Sequence, residues 1–185
     1  QHGNDCDQET NFNLARIFYG NTQRDFKADK YYTTKDSTTI YSKIIPFIDY
    51  QIVNDMNGDG KEDILMRDYQ GVFPYYYGWG ISYGGDSLNF DIDVGVNTQN
   101  QSIGSSSIEN GDYNGDGYGD LLMKTSTEPT SAVLYLGESN PEICYIAYKI
   151  YGDGFGIGRM VESIGAVNGD GADDFCLGDA GNIGQ

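Results

Sequence analysis

The chain of 185 residues contains one histidine, His2. With no other imidazole, neither a Ser-His-Asp nor a Cys-His arrangement has a natural base. The three cysteines, Cys6, Cys144 and Cys176, are an odd number and allow at most one internal disulfide. Their spacing fits no zinc cluster. A structural bridge plus one buried thiol is expected, with the pairing left open. Basic residues are also few, 11 against 28 acidic ones, for a net charge of −17. That balance excludes nucleic acid and anionic membrane surfaces as partners and suits a protein that binds cations. No apolar run approaches the ~20 residues that cross a bilayer, so membrane insertion is not expected. No secretory leader is present and Gln1 is not an initiator methionine, so a processed, secreted protein or a fragment is expected. Helical periodicity is sustained nowhere. With 4 prolines, 26 glycines and 16 tyrosines, the composition favours β-structure with tight turns.

Against these absences stands one repeated string. Asp112-Tyr-Asn-Gly-Asp-Gly-Tyr-Gly-Asp120 runs into Leu121-Leu122-Met123. It sets side-chain oxygens at positions 1, 3, 5 and 9 of a loop, with glycine at positions 4 and 6. A hard cation needs several oxygens around one point, and glycine lets the backbone fold sharply enough to gather them. The string recurs as Asp55-Met-Asn-Gly-Asp-Gly-Lys-Glu-Asp63 before Ile64-Leu65-Met66. A third copy, Ala166-Val-Asn-Gly-Asp-Gly-Ala-Asp-Asp174, precedes Phe175-Cys176-Leu177 and lacks the first carboxylate.

The copies begin at 55, 112 and 166, a period of 57 and then 54 residues. That length suits a four-stranded antiparallel blade of a β-propeller. The continuous apolar run after each loop reads as a strand buried on both faces, as between stacked blades. A second marker, an aromatic run stopped by glycine, is read at Phe18-Tyr19-Gly20, Tyr76-Tyr77-Gly78 and Tyr135-Leu136-Gly137. It predicts strands over Leu14–Tyr19, Val72–Tyr77 and Ala132–Leu136.

The segment Phe155-Gly156-Ile157-Gly158 through Gly165-Ala166-Val167-Asn168-Gly-Asp-Gly171 resembles the FG-GAP repeat, the blade unit of integrin-α-type propellers. Asn110-Gly111-Asp112-Tyr-Asn-Gly-Asp-Gly117 and the region around Asp55 are similar, and the resemblance spans most of residues 41–185. It implies a calcium loop between neighbouring strands of each blade, in a fold that mainly serves adhesion and ligand binding. The implied ligands are Asp55, Asn57, Asp59 and Asp63 with the Lys61 carbonyl, and Asp112, Asn114, Asp116 and Asp120 with the Tyr118 carbonyl. In the third loop Asn168, Asp170, the Ala172 carbonyl and Asp174 remain, a weaker site. An EF-hand is excluded because its bidentate position 12 is Met66 or Met123 here. The alternative for all three loops is a plain Asx-Gly turn.

The expected architecture is an all-β, propeller-type module of about three blade equivalents. Residues 1–40 form the back half of a split blade, 41–95 and 96–150 two blades, and 151–185 the front half. Three blades do not close a ring, so either the chain is a piece of a longer one or its ends complement those of another copy. Asn100-Gln101-Ser102 is a glycosylation sequon. Trp79 and Tyr77, in the densest aromatic cluster, would bind glycan or protein if exposed and belong to the core if packed. The reading is a non-enzymatic, secreted, calcium-binding structural or adhesion subunit. A glycan- or protein-binding module and an accessory domain of a larger hydrolase are the alternatives.

Overall fold

The computed structural model describes residues 13–17, 30–33, 50–67, 78–85, 92–99, 102–126, 131–139, 143–152 and 157–179. The chain divides into two compact units, residues 1–47 and 48–185. In the first, β1 (Asn13–Ile17) and β2 (Lys30–Thr33) form an antiparallel pair. In the second, β3 (Tyr50–Val53), β4 (Asp63–Arg67), β5 (Trp79–Ser82) and β6 (Val94–Val96) make an antiparallel meander. A second four-stranded sheet follows, with β7 (Ile103–Gly111), β8 (Asp120–Thr125), β9 (Ser131–Tyr135) and β11 (Ile146–Tyr151) in that order. The last sheet is two-stranded, β12 (Ile157–Gly165) against β13 (Asp174–Asp179). No helix occurs among the described residues, and the all-β expectation holds.

Alternation along β8 explains why its sequence reads as an unbroken apolar run. Leu121 and Met123 point to one face and pack, with Ile108, Val133 and Tyr135, against Val53, Leu65, Ile81 and Trp79 of the first sheet. Leu122 points the other way and packs, with Ala132 and Leu134, against Val161, Phe175 and Leu177 of the last sheet. The middle sheet therefore has a core on each side, and each fully buried Leu or Met contributes roughly 1.5–3 kcal/mol. Tyr113 meets Phe175 edge to face, with ring centroids 5.3 Å apart.

The sequence does not announce the path after β9. Residues Ile143–Cys144 (β10) leave the second sheet and pair in parallel with β6 of the first, Ile143 opposite Gly95 and Cys144 opposite Val96. The chain then returns as β11. Asn97 N–H donates to the Cys144 carbonyl at 3.0 Å, and Tyr135 Oη–H donates to the Asn97 carbonyl at 3.2 Å. This strap buries Cys144 and pushes its thiol up to about 12, by desolvation and then by the charge of Glu138. Cys176 is exposed, and neither thiol is bridged. Cys6 lies outside the described residues.

One marker is corrected. The segment Val72–Tyr77 lies outside the described residues, but Gly78 precedes β5 instead of ending a strand that matches β9. Pairing sets Ile64 opposite Ser82 and Leu121 opposite Tyr135, so Ser82-Tyr83-Gly84 is the counterpart of Tyr135-Leu136-Gly137. The physical reason is contact. A Cβ on Gly84 would collide with the Glu62 carbonyl oxygen, and one on Gly137 with that of Gly119. Gly137→Ala is therefore expected to cost about 1–3 kcal/mol by denaturant midpoint. Gly178→Ala should cost little, because its Cβ would make ordinary contacts at 3.4–3.8 Å with Met160.

Candidate metal-binding loops

Each loop sits between the first and second strands of its sheet, joining β3 to β4, β7 to β8 and β12 to β13. The glycines at positions 4 and 6 all take left-handed backbone, with φ of 76° and 86° at Gly58 and Gly60, 73° and 90° at Gly115 and Gly117, and 77° and 97° at Gly169 and Gly171. Only glycine adopts this conformation without cost. The turn rolls the loop around its first side chain.

In the first loop the Asp55 carboxylate accepts the N–H groups of Gly58, Asp59 and Gly60 at 2.7, 3.0 and 2.6 Å. Asn57 Oδ1 accepts from Asp59 N–H, and Asp59 Oδ1 from Lys61 N–H. The second loop repeats this pattern residue for residue, with Asp112 on Gly115, Asp116 and Gly117, Asn114 on Asp116, and Asp116 on Tyr118. These are Asx-turn bonds. They orient the side chains and leave further lone pairs on each carboxylate.

Position 9 differs from the rest. Asp63 and Asp120 are buried, and each carboxylate ties its loop to a glycine two residues past the third strand. Asp63 accepts from Met56 and Gly84 N–H, both at 2.8 Å. Asp120 accepts from Tyr113 N–H at 2.8 Å and Gly137 N–H at 2.9 Å. Burial raises the pKa of Asp63 despite those bonds. Desolvation pushes Asp120 up to about 6, against the Gly137 and Tyr113 bonds and with the nearby charges of Asp116 and Asp112. Each is a buried carboxylate among like charges, and a cation would supply the missing counter-charge.

The third loop compensates internally. Asn168 Nδ2 donates to Asp170 Oδ2 at 3.1 Å, as Asn114 Nδ2 does to Asp116 Oδ2 in the second loop, but also to Asp174 Oδ1 at 3.2 Å, bridging the two carboxylates of its donor set. Asp174 Oδ2 accepts Val167 N–H, while its Oδ1 has that side-chain amide where Asp63 and Asp120 have a glycine N–H. Among the described residues no three His, Cys, Asp or Glu side chains form a ready-made metal cluster. An all-oxygen set that includes an asparagine and a carbonyl suits calcium by its chemistry.

The loops also touch one another, which the sequence did not signal. Gly119 N–H, at position 8 of the second loop, donates to the Asp55 carbonyl at position 1 of the first. Asp173 N–H, at position 8 of the third, donates to the Asp112 carbonyl of the second at 2.7 Å. At position 7, Tyr118 lies against Gly58 so closely that no Cβ fits there, and Ala172 lies against Gly115. The position-7 residues Lys61, Tyr118 and Ala172, named above for their carbonyls, thus have a second role through their side chains in at least two of the loops.

Trp79 is 5 % exposed, in the core beneath the Arg67 guanidinium at 5.6 Å, so its ring forms no surface. Tyr77 and Asn100 lie outside the described residues. No family model, curated protein or solved structure matches the chain.

Proposed function

We propose that the chain is a non-enzymatic, secreted, calcium-stabilised module of β-propeller type that assembles with copies of itself as an extracellular structural or adhesion subunit. The observation that carries this reading is the recurrence of one unit. Two four-stranded meanders bear the same loop at the same place and stack face to face, and a two-stranded sheet lies toward each end of the chain. Calcium would be held by the oxygens of Asp55, Asn57, Asp59, Asp63 and the Lys61 carbonyl, and by their counterparts at Asp112, Asn114, Asp116, Asp120 and Tyr118. The set at Asn168, Asp170, Ala172 and Asp174 would hold it more weakly. Its role is structural, neutralising carboxylates that anchor the third strand.

In this reading β12 and β13 are a first and second strand of a blade, and β1 and β2 are a third and fourth. Among the described residues β13 is paired with β12 alone, and its other edge would invite strand addition. Gly20 ends its aromatic run as Gly84 and Gly137 end theirs, and is the sequence counterpart of the glycine that Asp174 lacks. Residues from about 5 to 20 of one copy would then complete the blade begun at 155–185 of another.

Deleting residues 1–20 is expected to give a smaller, aggregation-prone species by light scattering. A deletion variant that assembles like the full chain would overturn the strand exchange. Pure protein is expected to turn over no glycoside or ester. Activity lost on replacing one acidic residue outside the loops would overturn the non-enzymatic assignment.

A further inference from the structure

Contacts between consecutive units follow one rule, met twice within the chain. Position 8 of a loop donates its N–H to position 1 of the loop before, and position 7 covers that loop's first glycine. A polar side chain of each first strand reaches the next first strand. Gln51 Nε2–H donates to the Ile108 carbonyl at 3.2 Å, and the Glu109 carboxyl comes close to the backbone of Ser163. Each second strand turns its middle residue toward the following unit, as Leu65 and Leu122 do, both fully buried.

Continued to the last sheet, the rule leaves an open set. Cys176 occupies the place of Leu65 and Leu122, yet it is exposed. Beside it on the outward face stand Glu162, in the place of Gln51 and Glu109, and the apolar Met160 and Ile164, 54 % and 43 % exposed. A Cβ on Gly169 meets nothing within 4 Å, where Gly58 and Gly115 are covered. At the other end, Tyr50 holds the position of Ile108 and Val161, which are 4 % exposed, but is itself 61 % exposed, with Ile52 at 51 %. Ile64 and Met66 on the same face are buried, so the open part of that face is strand β3. A first-and-second-strand half sheet is what such a strip lacks.

We infer that the outward face of β12–β13 of one copy docks on the β3 face of a second copy, head to tail, reproducing the contacts between units within the chain. Glu62 N–H meets the Ala166 carbonyl, and Lys61 covers Gly169. Glu162 reaches the β3 backbone, while Tyr50 and Ile52 cover Met160, Ile164 and Cys176. Charge agrees with this pairing, since the position-7 residue brought to the acidic third loop is a lysine, beside Asp170 and Asp174. The inference rests on the self-assembly part of the proposed function and names its surface; it does not depend on calcium binding.

A head-to-tail contact has two different faces, so each can be blocked alone. In sedimentation velocity the full chain is expected to show mass rising with concentration. Met160→Asp/Ile164→Asp and Tyr50→Asp/Ile52→Asp should each be monomeric, with Tm near that of the wild-type chain. An equimolar mixture should form a one-to-one dimer that grows no further, because each variant retains the face the other has lost. Tyr148→Asp, on a β11 residue of equal exposure, should assemble like wild type. A wild-type chain monomeric at every concentration, variants that still assemble alone, or folded variants that stay monomeric when mixed would each overturn the interface. The calcium-induced rise in Tm, measured on the same monomeric variants, keeps failure of this interface distinct from failure of the metal reading.

Discussion

Moving the protein from a chelator into ~10 mM calcium is expected to raise its stability by roughly 2.7 kcal/mol for each site with a dissociation constant on the order of 10⁻⁴ M. In a domain of this size that corresponds to roughly 5–11 °C in Tm per site. The gain should come through the loops at 55 and 112, where the donor set is complete. Asp116→Ala removes one share, because Asp116 is an exposed side chain whose loss takes away its own turn bond from Tyr118 N–H and leaves the three on Asp112 in place. Asp170→Ala should matter less, since the third loop lacks the first carboxylate and bridges its others through Asn168. Equal melting temperatures in calcium and in chelator would contradict this.

The second large effect needs no metal. Asp120→Ala is expected to cost at least about 1–3 kcal/mol even in chelator, because it strands the buried Gly137 N–H at about that cost and also unpairs the part-buried Tyr113 N–H. Asp116→Ala in chelator should cost far less. Comparing the two variants with and without calcium separates the residue that anchors the third strand from the residue that serves the ion. Equal losses for both in chelator would mean that Asp120 holds nothing in place beyond the loop itself.

Much of this was legible because it is local. Glycine at positions 4 and 6 announces left-handed backbone, and all six glycines adopt it. The run Leu121-Leu122-Met123 announces a strand buried on both faces, and the two cores divide it as alternation requires. What was not legible depends on residues distant in sequence. Nothing in Ile143-Cys144 shows that these two residues pair with β6, because the partner strand is nearly fifty residues earlier. The marker at Gly78 misled because an aromatic run before glycine is common in a tyrosine-rich chain. Pairing of β4 with β5 selects Gly84, whose N–H reaches Asp63. The contacts of positions 7 and 8 likewise appear only once the loops are stacked. Trp79 shows how little composition says about exposure, since its place in β5, opposite Val96, puts the ring in the core.

Equilibrium dialysis of the chelator-stripped chain against radioactive calcium tests the central claim most directly. The account predicts two ions bound per chain with any third markedly weaker, one fewer in Asp116→Ala, and only the weak third site left in the Asp59→Ala/Asp116→Ala double variant. Binding no greater than background for the wild-type chain, or binding undiminished in the double variant, would contradict it.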